Sequence, residues 1–486
     1  MSSSQSSVRS EEINIQRGRI LLAAITANLF ANVSLSGLNV ALPAIEEDLR
    51  LSAVALVWVS SSLILATAAA IAPVARLADT WGRRRTTLLG LVIIIISSLG
   101  CSLAGSAGQL LAGRVLMGLG LAMIFAATMA LAANAYPPQR RGMVFGYIVS
   151  AVYVGLAMGP GLCGVLVEIL GWPSLFWVTS LSLTVPLVIL VTVKNDRPAA
   201  RGEKYDYGGA VLWMLTLSLT FIGLTNLMTF NGRLITGAGL AVGGCFVLKQ
   251  LKADQPLLDL RLFWQNRRFG WASLAAFIAY SAALGSIFLL SLYLQYVKGF
   301  SPKEAGFFLM VQPTVQALLT PLAGRLSDRY DPGRIAAGGL MITTGAVLMI
   351  SLGLSAETGL SYILISLSVF GVGFAAFAAP NSNAVMSSVP GDRLGMASGI
   401  ITATRLTGQI FSLSFTALVF SLMIGGESLS PEVMPDFIRA ARFCFMFFAP
   451  LCFVGALVSL IRNRPPDAPF RGRSQRRGAC LSASQS

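Results

Sequence analysis

Two arginines stand where charge is costly. Arg114 and Arg405 lie inside long apolar runs of a 486-residue chain that is 55% hydrophobic and only 12% charged. An ionised side chain held in hydrocarbon costs at least about 3 kcal/mol, so it needs a wet cavity or a polar partner. Arg114 is about five residues, roughly 7 Å, from one end of its run, within snorkelling reach; Arg405 is about ten residues, roughly 15 Å, deep. The polar side chains that could line such a cavity are Asn28, Asn32, Ser34, Ser36 and Asn39 on the first run, and Asn381 and Asn383 on the run before that of Arg405. Those on the first run recur at about helical spacing, which suits either a stripe facing a cavity or bonds to neighbouring helices.

Other chemistries lack their residues. With no histidine in the chain, His-based acid–base catalysis, Ser-His-Asp triads, HExxH sites and His-ligated haem are excluded. The six cysteines form no CxxC pair and five sit in apolar stretches, so neither a metal site nor a disulfide framework is implied. No nucleophile–base pair or phosphate loop supports an enzyme, and no cofactor is expected.

The elements that position these residues are membrane spans. A charge density about half that of a soluble domain cannot coat a water-facing surface of this size. Runs long enough to cross about 30 Å of hydrocarbon occur at 20–42, 54–77, 86–105, 109–133, 142–167, 173–194, 207–228, 233–250, 270–296, 303–324, 334–354, 359–387, 395–424 and 437–461. The first is too long for a signal h-region and lacks a small-residue cleavage site. An even number of spans puts both termini on one side. Of the 36 Lys and Arg residues, 28 fall in the tails and the loops on that side, against six on the other, so both termini are expected in the cytoplasm. The net charge of +15 therefore reflects topology and not a nucleic-acid partner. The basic tail from Arg462 to Arg477 reads as a membrane-surface anchor.

The chain also repeats itself. VPGDRLGMASG at 389–399 restates YPPQRRGMVFG at 136–146, and GRLSDRYDPGR at 324–334 echoes ARLADTWGRRR at 75–85. This divides the chain into a tail at 1–19, a six-helix bundle at 20–194, a linker with two inserted helices at 195–269, a second bundle at 270–461 and a basic tail at 462–486. Paired six-helix bundles with a substrate site between them near the midplane are a common plan of secondary transporters.

With these motifs the sequence resembles the major facilitator superfamily, and within it the fourteen-span drug:proton antiporter branch. Four segments carry the resemblance: ARLADTWGRRR, with Ala75 for the usual Gly; Arg114-Val-Leu-Met117-Gly118-Leu-Gly120, with Met117 for a common Gln; the run Gly155, Gly159, Pro160, Cys163, Gly164, with Cys163 for a Gly; and PLLDLRLFWQNRRF at 256–269. The resemblance implies an all-α fold of two six-helix bundles plus two helices and alternating-access transport of a small-molecule substrate. It implies multidrug-type efflux at the plasma membrane, powered by the proton gradient.

Motif chemistry supports gating roles. Asp79, Gly82, Arg83 and Arg84, with Asp328, Arg329 and Arg334 in the second half, sit where helices leave the membrane, and a carboxylate there can bond a helix N-terminus of the other half. Gly155, Gly159, Pro160 and Gly164 allow close helix contact and a kink. The branch usually has an Asp in the first span where this chain has Ser34, which cannot titrate. None of the 21 acids lies in the interior of a span, leaving Glu168, at the outer end of the fifth, and Glu304, near the outer start of the tenth, as candidate proton carriers. A cavity with arginine and no carboxylate favours neutral, zwitterionic or anionic amphipathic cargo. The competing expectations are a facilitator or symporter for such a metabolite, and a non-transporting membrane sensor. Nothing in the sequence demands a protein partner, so a monomer in the bilayer is expected.

Overall fold

A computed structural model describes residues 2–137, 140–193, 205–253, 255–389, 394–425, 429 and 431–461. Its fourteen membrane-length helices are α1 (Ser2–Leu49), α2 (Ala53–Trp81), α3 (Arg83–Ser102), α4 (Ala107–Ala135), α5 (Arg141–Leu170), α6 (Pro173–Val191) and α7 (Tyr207–Thr225), then α8 (Phe230–Lys252), α9 (Arg267–Val297), α10 (Pro302–Ser327), α11 (Pro332–Gly353), α12 (Leu360–Ser387), α13 (Leu394–Met423) and α14 (Met434–Ile461). No strand occurs among the described residues. Hydrocarbon forces each crossing segment to satisfy its own backbone, which is why apolar runs of this length become helices.

Two local devices end or extend these helices. Gly82 breaks α2 from α3 at φ 115°, a conformation open to glycine and strained for any side chain, while its N–H still bonds the Ala78 carbonyl. The equivalent break in the second copy uses Asp331, whose carboxylate caps α11 at the Gly333 and Arg334 N–H groups, with Pro332 in the first turn. One structural position is thus met by two different chemistries. Pro43, by contrast, does not end α1, which runs six residues further to Leu49.

The duplication is visible in the packing. α1 packs on α5 and α6, α2 on α4, and α3 on α4 and α6; in the second half α9 packs on α13 and α14, α10 on α12, and α11 on α12 and α14. These are the same pairings displaced by eight helices. The halves meet through α2 against α13, α5 against α10 and α1 against α9. The inserted α7 and α8 pair with each other, and α7 lies against both α2 and α13. The Trp213 indole N–H donates to Ala68 O at 3.2 Å, the Tyr205 hydroxyl to Pro73 O at 3.2 Å and the Arg76 guanidinium to Pro256 O at 3.0 Å, so these bonds fasten the inserted segment to α2. Where α7 begins, burial works against the Asp206 carboxylate. Lys249, the Gly209 N–H and Gln250 nonetheless hold it below the usual carboxylate range.

Candidate functional site

The contact between the halves is tight at one face and open at the other. At the face opposite the termini, a Cβ on Gly161 would collide with Met310, one on Gly164 with the backbone at Pro302 and Lys303, and one on Gly306 with the Pro160 carbonyl. Hydrogen bonds cross there too: Ser291 donates to Asn39 O at 2.7 Å and the Lys303 N–H to a Glu168 carboxylate oxygen at 3.3 Å. Toward the face that carries the termini, Gly142 and Gly146 on α5, Gly324 on α10 and Gly399 on α13 look into space with nothing within 4 Å. The two halves therefore splay apart toward the terminal face.

Between these ends, near mid-span, lies a polar cluster built from both halves. Arg405 of α13 donates to the Ser382 hydroxyl of α12, and its guanidinium stacks over the Tyr280 ring of α9, 5.4 Å from the centroid. Its Nε is buried and has no hydrogen-bond partner. Tyr153 of α5 faces the cluster from the first half, within electrostatic reach of Arg405 and Tyr280 and hydrogen-bonding reach of Gln316 and Thr320 on α10. Gln312 donates to Gln316 at 3.1 Å, and both are buried. Aromatic rings wall the cluster: Tyr280 meets Phe374 edge-on at 5.1 Å, and Phe277, Phe411 and Phe415 follow along α9 and α13. A fixed cation, amide and phenol groups and ring faces can hold a flat molecule that carries an anionic or carbonyl oxygen.

Other residues singled out in the sequence fall elsewhere. Arg114 does not snorkel: it is 1% exposed, its Nε donates to the Val59 carbonyl of α2 at 3.2 Å, and Cys101 of α3 lies alongside, so the guanidinium is enclosed within its own half. Its Nη1 lacks a hydrogen bond. Asn28 donates to Thr128 at 3.0 Å, and Asn39 accepts from Ser60 at 3.3 Å. Asn32 and Ser36 lie where Gly155 and Gly159 admit α1, and Ser36 bonds the Asn32 carbonyl at 2.9 Å. The α1 stripe thus stitches neighbouring helices together. Ser34 lines a small recess among Ala31, Leu63, Met117 and Thr179, inside the first half. Asn381 donates to Ala272 O at 3.1 Å and Asn383 to Ser327 at 3.0 Å.

The glycine run works on two sides. Gly155 and Gly159 admit α1, and Gly161 and Gly164 admit α10, with Pro160 between them. Cys163 is accommodated by Gly37 opposite, where a Cβ would strike its sulfur. Asp79, expected to reach the other half, bonds Arg83 instead, at 3.1 and 2.8 Å, and Arg83 extends to Ala130 O of α4 at 3.3 Å. Arg84 caps the end of α6 through Leu190 O and Val191 O. Among the described residues, Asp79 makes no bond to the other half. In the second copy Arg329 and Arg334 are exposed, and the Asp328 side chain lies outside the described residues. Glu168 and Glu304 are both exposed, Glu304 closing a capping box with Ser301.

Three functional groups escaped the sequence reading. Tyr153, Tyr280 and the Gln312–Gln316 pair meet Arg405 only through folding; the two glutamines, four apart inside an apolar span, were the available signal. Glu46 escaped it as well: it is 6% exposed, because α1 continues through Pro43 and carries it into the closed face.

Known proteins share this architecture. The chain is 26% identical to the riboflavin transporter RibZ of Clostridioides difficile, over 92% of this chain and 98% of that one. It is 28% identical to the multidrug resistance protein Stp of Mycobacterium tuberculosis, over 88% and 82%. The solved structure of a bacterial homologue of the human lysosomal transporter Spinster, inward-facing and unoccupied, superposes with a TM-score of 0.68 at 19% identity, covering 93% of this chain and 99% of that one. The sequence profile of the Major Facilitator Superfamily matches residues 24–413 and 273–483. A duplicated bundle of this contact pattern, matched along nearly its whole length, belongs to that superfamily: the chain is a multi-pass membrane transporter of the Major Facilitator Superfamily.

Proposed function

We propose that this transporter exports small amphipathic molecules across the plasma membrane by alternating access in exchange for protons, with its termini in the cytoplasm and its cavity shaped here to load from that side. The observation that carries the reading is the Arg405 cluster. The cation is held by Ser382 and Tyr280 and faces Tyr153 of the other half, and its contacts among the described residues are to neutral groups. Such a site favours planar cargo that is neutral or anionic over lipophilic cations, with aromatic walls giving broad selectivity. Likeness to a multidrug resistance protein and to a riboflavin transporter supports flat organic cargo of this kind.

An uptake and growth screen in an efflux-deficient host, across cationic, neutral and anionic compounds with and without an uncoupler, tests charge preference and energy source together. Export of anionic or neutral aromatics that stops with the uncoupler and with Arg405→Gln supports the reading; preferential export of cations refutes it. A second reading, a facilitator or symporter for a neutral or anionic metabolite, is favoured by Ser34 standing where the branch usually has a first-span carboxylate. Proteoliposomes with an imposed pH gradient separate the two, because a facilitator ignores the gradient and a symporter moves cargo with the proton flow, whereas an antiporter moves it against that flow.

A further inference from the structure

At the closed face, ties from two separate segments of the second half converge on Glu46. Its Oε2 is met by the Tyr296 hydroxyl, from the π-helical end of α9, and its Oε1 accepts the Leu429 N–H at 2.8 Å, between α13 and α14. Among the described residues it is the one buried carboxylate. Glu47 and Asp48 on the same helix are exposed, Asp48 accepting the Trp172 indole N–H at 2.9 Å. Both Glu46 contacts come from the opposite half, so they exist only while this face is shut. Opening the face returns the carboxyl group to water.

The neighbouring cations do not neutralise it. Lys298 donates its ammonium to Ala356 O and lies over the Tyr293 ring, and Arg439 pairs with Asp436. Arg50 and Lys303 are exposed, as are the acids Glu168, Glu304 and Glu432. The sequence carries a further acid, Glu427, two positions before Leu429 and outside the described residues. Shutting the face over an ionised Glu46 would desolvate a charge against two neutral donors alone. A protonated Glu46 avoids that cost and keeps both contacts: its carbonyl oxygen accepts the Leu429 N–H, and its O–H shares a hydrogen with the Tyr296 hydroxyl. We propose that Glu46 is a proton-binding site built into the gate, so that this face closes over the neutral acid and reopens when the proton is lost. The closed form holds the proton more tightly than the open one, and acid therefore favours closure.

The test reads conformation without cargo, so it stands or falls separately from the export reading. Spin labels on Gly108→Cys and Glu357→Cys, one on each half at this face, are introduced into the full chain with Cys245→Ser and Cys480→Ser; the four other cysteines are buried. In lipid nanodiscs the distance distribution of the otherwise unchanged protein should be short at about pH 5 and gain a longer component by about pH 8, the range over which a buried carboxyl titrates. Glu46→Gln, a permanent neutral mimic, should stay short throughout. Tyr296→Phe keeps the acid but removes a contact; it should lose part of the short population at acid pH while shifting in the same direction. Glu427→Gln should behave as the parent. A pH shift that survives Glu46→Gln, acid that lengthens the distance, a Tyr296→Phe protein identical to the parent, or a shift abolished by Glu427→Gln would each overturn the proposal.

Discussion

The two ends of the α5–α10 contact differ in what their glycines face. At the end away from the termini, Gly161, Gly164 and Gly306 are pressed against backbone and Met310 of the facing helix; at the terminal end, Gly142, Gly146 and Gly324 face nothing within 4 Å. Glycine residues of the same two helices thus do opposite jobs. The packed ones let two backbones approach closely, which small residues permit in lipid, where association depends on van der Waals fit. The open ones leave room for the approach that the other conformation of the cycle requires. A rocking transporter needs both ends to be closable, and the static structure displays one of each.

The largest effect should come from filling a packed glycine. Gly164→Leu inserts a side chain against the Pro302 carbonyl and the Lys303 backbone; transport in vesicles should fall at least about tenfold, and cysteine accessibility at the sealed face should rise, since overpacking costs about 1–3 kcal/mol. Gly146→Leu at the open end should leave this conformation intact yet slow turnover, because the obstruction appears only when that face closes; equal accessibility changes for both variants would erase the contrast between the ends. Next in size, Gly82→Ala forces a side chain into φ 115° and should lower stability by about 1–3 kcal/mol, read as an earlier thermal transition in detergent. Tyr280→Leu removes the ring beneath Arg405 and should weaken binding of an anionic ligand by about 0.5–2 kcal/mol, whereas Tyr280→Phe keeps most of it. Smallest on stability is Asp79→Asn. Its pair with Arg83 is partly exposed and worth about 1 kcal/mol or less, so the thermal transition should hardly move even where the transport rate drops.

Much of this architecture was legible in the sequence because lipid imposes a simple rule. The fourteen apolar runs became fourteen helices, most with ends displaced by a few residues, although α1 starts far earlier, at Ser2, than the run from 20, and the repeated GRLSD and RLADT segments announced the duplication later seen in the packing. The first run was bounded at 42, yet α1 continues through Pro43 to Leu49. Within a bundle the missing donor of Pro43 is tolerated, so α1 runs on and buries Glu46 beyond the end of the apolar run. The depth of Arg405 was also legible, but its companions were not. Tyr280 and Ser382 are distant in sequence and Tyr153 belongs to the other half, and a periodic pattern within one helix carries no record of which helix will face it. Arg114 failed for a related reason: depth suggested an escape route to water, whereas Val59 and Cys101 on neighbouring helices had already enclosed it.

The inserted helices are joined to α2 by Trp213, Tyr205 and the Arg76–Pro256 bond, all within the first half's reach. Since α7 also lies against α13, a tilt of one bundle against the other would have to shear one of its two contacts, and the three hydrogen bonds make the α2 side the one that holds. The bodies that tilt would then be unequal, eight helices against six.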